Sequence, residues 1–541
     1  MKFRSYWNFG KTMIGLKGNI LWALVAWLCT LTQQFGFQYF KGMALTTLPL
    51  EKFFIAFGFF FLFSFIKNNF TRFLLSSFIL IMGYFQLAHL SFYGTQILPI
   101  EIWLLFAEMG EVVGTLKEDI VHIVLPVLFT LPFLSLLFWS SKKIKVATLP
   151  FIPLLFSLYF IYNPIRTMVT GNTWGRQPST QELYGMNTYL SLSYFLGKIL
   201  PSKILGTNKL ESEKLFADDL KFGEKKLSQY KNIVFILGES LTPTHMSLFG
   251  YPKQTTPYLD SIKENQNFYY RKAMAGGVST DIAVAFFMNA TYGTSGQKVI
   301  SKGERCFFKM AKNNYFDTYF FSIQSGQQLR YITPYICPEF IEDYRALEQI
   351  APEVEDSNAA PDRMLLPALK EVLEKKGEKF IVLHMRGSHS PYSLRYSKES
   401  KKFSGGDERV DDYDNSVVEF DTFMKEAIEL VKPHLKDTIL IYVSDHGEGL
   451  GEEGVWGHGP LLYPSYVIPF LVYADGARAK TESVFKQNEF LTNFNISLFI
   501  YHLMGVETSI KPHQVVPDFQ VYGNDLDGFA GHVKVPATFR P

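Results

Sequence analysis

Charge is spread so unevenly along this chain that no single water-soluble domain accommodates it. Residues 1–163 hold 12 Lys or Arg and 6 Asp or Glu, so 11% of that stretch is charged, with a net of +6. Residues 164–541 hold 41 basic and 45 acidic residues, 23% of the stretch, with a net of −4. The first stretch reads as membrane. The second has the composition of an ordinary globular domain, long enough to bury one large core. The whole chain carries a net charge of +2, which excludes a broadly basic nucleic-acid binder and an acidic disordered tail.

A spanning helix needs roughly 20 mostly apolar residues. Ile20–Phe40, Phe73–Tyr93 and Ile120–Trp139 meet that need, and Val146–Tyr162 is short but nearly uncharged. Phe53–Ile66 is an apolar core of 14 residues. To span, it must borrow Ala44–Leu50, with Glu51 and Lys52 intruding, and a re-entrant or interfacial segment is the competing reading. Loop charges favour five spans. Lys2, Arg4, Lys11 and Lys17 precede the first, Lys67 and Arg72 lie between the second and third, and Lys142, Lys143 and Lys145 follow the fourth. With the N-terminus inside, all three clusters are cytoplasmic, as the positive-inside rule requires. The acidic loop Thr95–Asp119 and everything after residue 163 then lie outside. No cleavable signal is visible. His89 and His122, in or beside spans, read as interfacial or packed neutral residues, with a functional intramembrane histidine as the competing reading.

Residues 164–230 read as a linker. Tyr189–Leu200 suits either a membrane interface or a helix packed on the globular domain, and Glu211–Lys226 reads as solvated. From 231 onward, apolar β-rich runs alternate with helical patterns: Asn232–Leu237, Tyr319–Ile323, Phe380–Leu383, Thr438–Val443 and Val467–Tyr473. Such alternation predicts a mostly parallel sheet with helices on both faces. Ligands bind such sheets beyond the carboxyl ends of the strands. Glu239 follows the first run, His384–His389 the third, and Asp445 and His446 the fourth, with His458 twelve residues on. Oxygen and imidazole donors of this kind suit Zn²⁺ or Mn²⁺. The three cysteines, Cys29, Cys306 and Cys337, lack zinc-thiolate spacing, and the last two could pair in an oxidising compartment. Gly276–Asp281 is a glycine-rich turn before a helical run, where a hydroxyl could attack phosphorus beside a metal.

Together, GESLTPTHMSLFGYPKQTTP (238–257), GGVSTDIAVAFFM (276–288), LHMRGSHSPY (383–392), YDNSVVEFD (413–421) and SDHGEGLGEEGVWGHG (444–459) resemble the membrane-anchored phosphoethanolamine transferases of Gram-negative envelopes. These enzymes belong to the alkaline phosphatase/sulfatase superfamily. The resemblance implies an α-helical transmembrane domain over 1–163, a periplasmic linker over 164–230, and an α/β sulfatase/alkaline-phosphatase-like transferase domain over 231–541 in the periplasm. It implies a principal Zn²⁺ site at Glu239, Thr280, Asp445 and His446. Thr280 would be the nucleophile that takes phosphoethanolamine from phosphatidylethanolamine. His389 and His458 would hold the phosphoryl group or a second zinc, and His384 would be structural. The acceptor would be lipid A, lipopolysaccharide core or another envelope molecule.

The chain departs from the family in places. Gly276 and Phe286 lie where members often carry a cysteine pair. The arginine near Thr242 or Pro243 is missing. Gln324, Gln327, Gln328 and Arg330 lie where a lysine is expected. A glycerophosphate transferase using phosphatidylglycerol, a phosphodiesterase or sulfatase-like hydrolase, and a non-catalytic binding module are rival readings. Ser279–Ala283 lacks the Pro and Arg of the sulfatase nucleophile motif.

Overall fold

The computed structural model describes residues 2–107, 120–149, 151–170, 182–205, 213–354, 356–486, 488 and 490–535. Glu108, Glu111, Glu118 and Asp119 of the acidic loop lie outside the described residues. Packing divides the chain into two compact units, Met1–Lys209 and Leu210–Pro541. The first unit runs well beyond residue 163, where composition changes.

In the helical unit, Gly15–Phe40, Asn69–Tyr93 and Val121–Lys143 are long and apolar enough to cross a membrane. The last is made of two helices, Val121–Leu128 and Leu131–Lys143. Pro126 and Pro132 fall at this break, where a missing N–H interrupts the ladder. The doubtful second span forms a helix only over Leu50–Ser64, 15 residues. Ala44–Pro49 does not extend it, and Pro49 stands at its N-cap. At a rise of about 1.5 Å per residue the helix is roughly 22 Å long, against a hydrocarbon core of about 30 Å. The last candidate becomes Ile152–Thr170, with Pro164 inside.

The first long helix, near Asn19 and Trp22, meets the Ile66 turn and the Ser141–Ala147 turn at one end of this unit. Asn19 Nδ2 donates to the Ala147 carbonyl at 3.1 Å, and Ala147 N–H donates back to Asn19 Oδ1 at 2.8 Å. Trp22 Nε1 donates to Ser141 Oγ at 3.1 Å. Arg72, fully buried, donates to the carbonyls of Ile66 and Ser141. The opposite end is held by amides: Gln38 Nε2 donates to Tyr184 Oη at 2.7 Å, and Asn187 Nδ2 to Gln96 Oε1 at 2.8 Å. Tyr184–Tyr194 therefore packs on the membrane-type helices of its own unit. Gly185 permits the approach, since a Cβ there would sit 2.2 Å from the Ile79 carbonyl. His89 Nδ1 bonds the Thr95 carbonyl and His122 Nδ1 bonds Ser91 Oγ, so both imidazoles are packed.

The second unit is built on an eight-stranded sheet. Its spatial order is Leu491–Thr492, Phe268–Met274, Val467–Tyr473, Thr438–Ser444, Asn232–Gly238, Lys379–His384, Asp317–Ser322 and Asp343–Arg345. Every strand but Val467–Tyr473 runs the same way. Alternate residues of Asn232–Gly238 feed two separate cores. Ile233, Phe235 and Leu237 pack with the helices Thr280–Met288 and Asn493–Leu503, while Val234 and Ile236 pack under Glu408–Val431. Burial on both faces explains the near-continuous apolar runs. Cys306 and Cys337 are free, buried neighbours, and burial with the facing Cys337 thiol pushes Cys306 well up.

Phe222–Lys225 of the linker pairs with Val506–Thr508, and Gln520–Tyr522 in the C-terminal segment pairs with His532–Lys534.

Candidate metal centre and nucleophile

Because the strands ending at Gly238, Met274, Ser322, His384 and Ser444 are codirectional, their carboxyl ends share one edge. Register aligns them: Gly238 is opposite Ser444, and Leu237 opposite His384. The residues just past these ends meet there. Glu239 and His446 are fully buried and Asp445 nearly so. Each brings a ligand atom within 4.8 Å of the other two. His446 Nε2 lies 3.2 Å from Glu239 Oε1 and 3.4 Å from Asp445 Oδ2. Thr280, first residue of the helix Thr280–Met288, points its Oγ1 at both Glu239 oxygens, at 3.0 and 3.1 Å, and lies 3.4 Å from His446 Nε2. Unlike these three residues, Thr280 is only half-buried.

The backbone is shaped to let these groups converge. Gly387 has φ of +55°, and a Cβ there would sit 2.4 Å from the Glu239 carbonyl. That carbonyl accepts Ser388 N–H at 3.0 Å, docking the Arg386–His389 turn on Glu239. Asp362 clamps the same turn, accepting the N–H groups of Arg386 at 2.7 Å and Gly387 at 3.0 Å.

Electrostatics favour a cation. Burial would depress His446, but the charge of Asp445 and the bond and charge of Glu239 draw it up to about 10. Burial and the Glu239 charge push Asp445 up to about 7. Burial also pushes Glu239 up, but His446, with help from His389 and His384, holds it well below the usual carboxylate range. The donor set fits a divalent ion on two counts. Asp445 Oδ2 is buried without a hydrogen-bond partner, a costly arrangement unless a cation satisfies it. His446 Nδ1 faces the Gly447 carbonyl at 2.8 Å. A carbonyl only accepts, so Nδ1 carries a proton, and Nε2, turned to the carboxylates, is the ring nitrogen that would give up its proton to bind an ion.

His458 and His389 extend the site outward. The rings of His446 and His458 are 4.7 Å apart, and those of His458 and His389 5.4 Å. His458 Nδ1 bonds Glu448 Oε2 at 3.2 Å, and Tyr392 Oη donates to the other Glu448 oxygen. His446, Glu448 and His458 form a second group able to hold a metal. Burial would lower His458, but Glu448 raises it. The sequence did not single out Glu448 or Tyr392, although both lie inside the quoted motifs. His384 stays on its strand with Nδ1 on Ser322 Oγ at 2.9 Å, and burial pushes it down to about 4.

A codirectional sheet with acidic and imidazole donors at its carboxyl edge, and a hydroxyl at a helix start, defines an α/β protein built around a metal-type site. The chain belongs to the sulfatase family, whose model, described as Sulfatase, matches residues 231–506. Among similar proteins, "Putative transferase YhbX" of Escherichia coli (strain K12) is 27% identical over 305 residues, 54% of this chain and 52% of that protein. "Phosphoethanolamine transferase EptA" of Helicobacter pylori (strain ATCC 700392 / 26695) is 25% identical over 308 residues, 52% of this chain and 55% of that one. The chain thus spans about half the length of the curated relatives it matches. The integral membrane lipooligosaccharide phosphoethanolamine transferase A (EptA) from Neisseria meningitidis shares the fold. Its TM-score is 0.55 at 18% identity, over 90% of this chain and 95% of that one.

Proposed function

We propose that this protein is a zinc-dependent phosphoethanolamine transferase of a bacterial inner membrane. It takes the group from phosphatidylethanolamine and passes it to an envelope glycolipid such as lipid A or lipopolysaccharide core, or to an envelope protein. The carrying observation is the Thr280 hydroxyl, half-exposed at a helix start and within hydrogen-bond distance of both oxygens of a buried Glu239. The names of relatives such as the Helicobacter pylori transferase support the substrate class.

Glu239, Asp445, His446 and the Thr280 oxygen would hold Zn²⁺, which supplies Lewis acidity and lowers the pKa of the hydroxyl. Thr280 Oγ attacks the donor phosphorus. The Thr280–phosphorus bond forms as the bond to the diacylglycerol oxygen breaks, and the hydroxyl proton leaves with the diacylglycerol. His389 and His458 hold the equatorial phosphoryl oxygens, where charge builds up. An acceptor oxygen then attacks the phosphothreonine, and the proton it loses restores the Thr280 hydroxyl. Five membrane crossings keep the site outside, beside both lipids, and confine their encounter to two dimensions.

The test is transfer from labelled phosphatidylethanolamine by the full chain, with phosphatidylglycerol fed separately. Wild type should yield a Thr280 peptide heavier by one phosphoethanolamine unit, and Thr280→Ala should yield neither adduct nor product. Full activity in Thr280→Ala, or transfer from phosphatidylglycerol alone, would overturn the reading.

A further inference from the structure

The motif YDNSVVEFD (413–421) takes no part in the proposed chemistry. It lies on the helix Glu408–Val431, and its first residues brace two loops of the candidate metal site. Ser416 Oγ lies 2.8 Å from Ser388 Oγ, in the turn that carries His389. Tyr413 Oη, fully buried, donates to the Ser240 carbonyl at 2.8 Å and accepts Thr242 N–H at 2.9 Å. One phenol thus holds the bend that follows Glu239. Ser240 has φ of +56° in that bend, the left-handed region where a Cβ is crowded. Glycine is the residue that suits such a conformation, but this serine uses its side chain. Fully buried, Ser240 donates its N–H to Asp445 Oδ1 at 3.1 Å and its hydroxyl to Glu239 Oε1 at 3.1 Å. His446 N–H donates to the same Asp445 oxygen at 2.6 Å. Two N–H groups therefore occupy Oδ1, while Oδ2, the oxygen without a partner, lies 3.4 Å from His446 Nε2.

We propose that Ser240 is a positioning residue that fixes the orientation of both the Glu239 and the Asp445 carboxylates for the ion. The inference rests on the proposed function and deepens it. A carboxylate free to turn about its last bond offers either oxygen to a cation and loses that freedom on binding. Hydrogen bonds from groups around it remove the freedom beforehand and raise affinity for the metal. Ser240 does this for two carboxylates at once. Its left-handed backbone sends the N–H to one and the hydroxyl to the other, and Tyr413 holds that backbone through the Ser240 carbonyl. Strain of this kind persists where the surrounding structure enforces it and function uses it.

The test is the zinc affinity of the full chain in detergent micelles, measured by competition with a chelator, for wild type, Ser240→Ala and Ser240→Gly. Both substitutions remove the hydroxyl, and glycine also relieves the left-handed backbone. Both should bind zinc roughly tenfold more weakly than wild type. At limiting free zinc their kcat for transfer should fall in step, with KM for phosphatidylethanolamine within about twofold. The zinc-free form of Ser240→Gly should melt no lower than that of Ser240→Ala, so that lost affinity does not follow lost stability. Tyr413→Phe should weaken zinc binding as well. Added to Ser240→Ala, it should cost less than the two losses combined, because both act through one residue. Wild-type affinity in both Ser240 variants, an affinity lost in Ser240→Ala and restored in Ser240→Gly, or additive losses in the double variant would overturn this assignment and leave the proposed function standing. A wild type that binds zinc but transfers nothing from phosphatidylethanolamine would overturn the proposed function, and the affinities would still decide the role of Ser240.

Discussion

At the scale of single residues, the site divides into what local sequence announces and what only three dimensions assemble. Glu239, Asp445 and His446 stand immediately after apolar runs, where a sheet of codirectional strands exposes side chains to a ligand, so their convergence was legible. Thr280 was legible because glycines precede it and a helical run follows. Glu448 was not. It shares an acidic stretch with Glu452 and Glu453, and no spacing distinguishes the one that is fully buried from those left on the loop. Its importance comes from being the only described carboxylate bonded to His458, with Tyr392 on its other oxygen. Tyr392→Phe should remove that donor and let Glu448 swing, loosening the orientation of His458. The expected result is a drop in kcat of about tenfold at nearly unchanged zinc content, measured by steady-state transfer and metal analysis. Wild-type kcat in this variant would mean that Glu448 is oriented by other groups.

At the scale of elements, five of the eight strands were readable, and each is buried on both faces or nearly so. Phe268–Met274 was missed because Arg271 and Lys272 interrupt it and four of its seven residues are half-buried, so neither alternation nor a continuous apolar run appears. The helical stretch read at Tyr189–Leu200 starts five residues earlier, at Tyr184, and its partner was not legible, because nothing local says which amides will meet Gln38 and Gln96. The short helix Pro257–Ile262 shows how a long element pins a distant one. Asp421, on Glu408–Val431, accepts Tyr258 N–H at 2.7 Å and Leu259 N–H at 3.0 Å. Burial nonetheless pushes Asp421 up to about 7, against the pull of those two bonds. A carboxyl with a raised native pKa costs nothing while both folded and unfolded forms are protonated, below about pH 4. Its ionisation then erodes stability as pH rises toward 7. The melting temperature of wild type should therefore fall more steeply between pH 4.5 and 7.5 than that of Asp421→Asn. The variant should also start lower, because an amide offers only one oxygen to the two N–H groups. Parallel pH profiles would show that Asp421 is ionised throughout.

At the scale of the whole chain, the open question is how often the helical unit crosses the bilayer, and here geometry and charge bear on each other. Three crossings by the three long helices, or five with Leu50–Ser64 and Ile152–Thr170 added, both carry the chain from inside to outside, because both numbers are odd. They differ in where the loops lie. Three crossings from a cytoplasmic N-terminus would expose Lys142, Lys143 and Lys145 outside and put the acidic Glu101 loop inside, against the positive-inside rule. Five crossings reverse both. The hydrogen bonds of Asn19, Trp22 and Arg72 gather the start of the first long helix, the Ile66 turn and the Ser141–Ala147 turn at one end, so the Leu50 helix returns the chain to that end despite its length. Its intruding Lys52 is neutralised by an ion pair with Glu182. Lys145→Cys provides the discriminating measurement, because the native Cys29, Cys306 and Cys337 are all buried and resist an impermeant maleimide. With five crossings, Lys145→Cys should label only after the inner membrane is opened, while Lys401→Cys on the exposed face of the sheet-bearing unit should label once the outer membrane alone is permeable. Labelling of both before the inner membrane is opened would establish three crossings and leave the candidate metal centre outside; protection of Lys401→Cys would place it in the cytosol and remove the lipid-facing donor on which the proposed transfer depends.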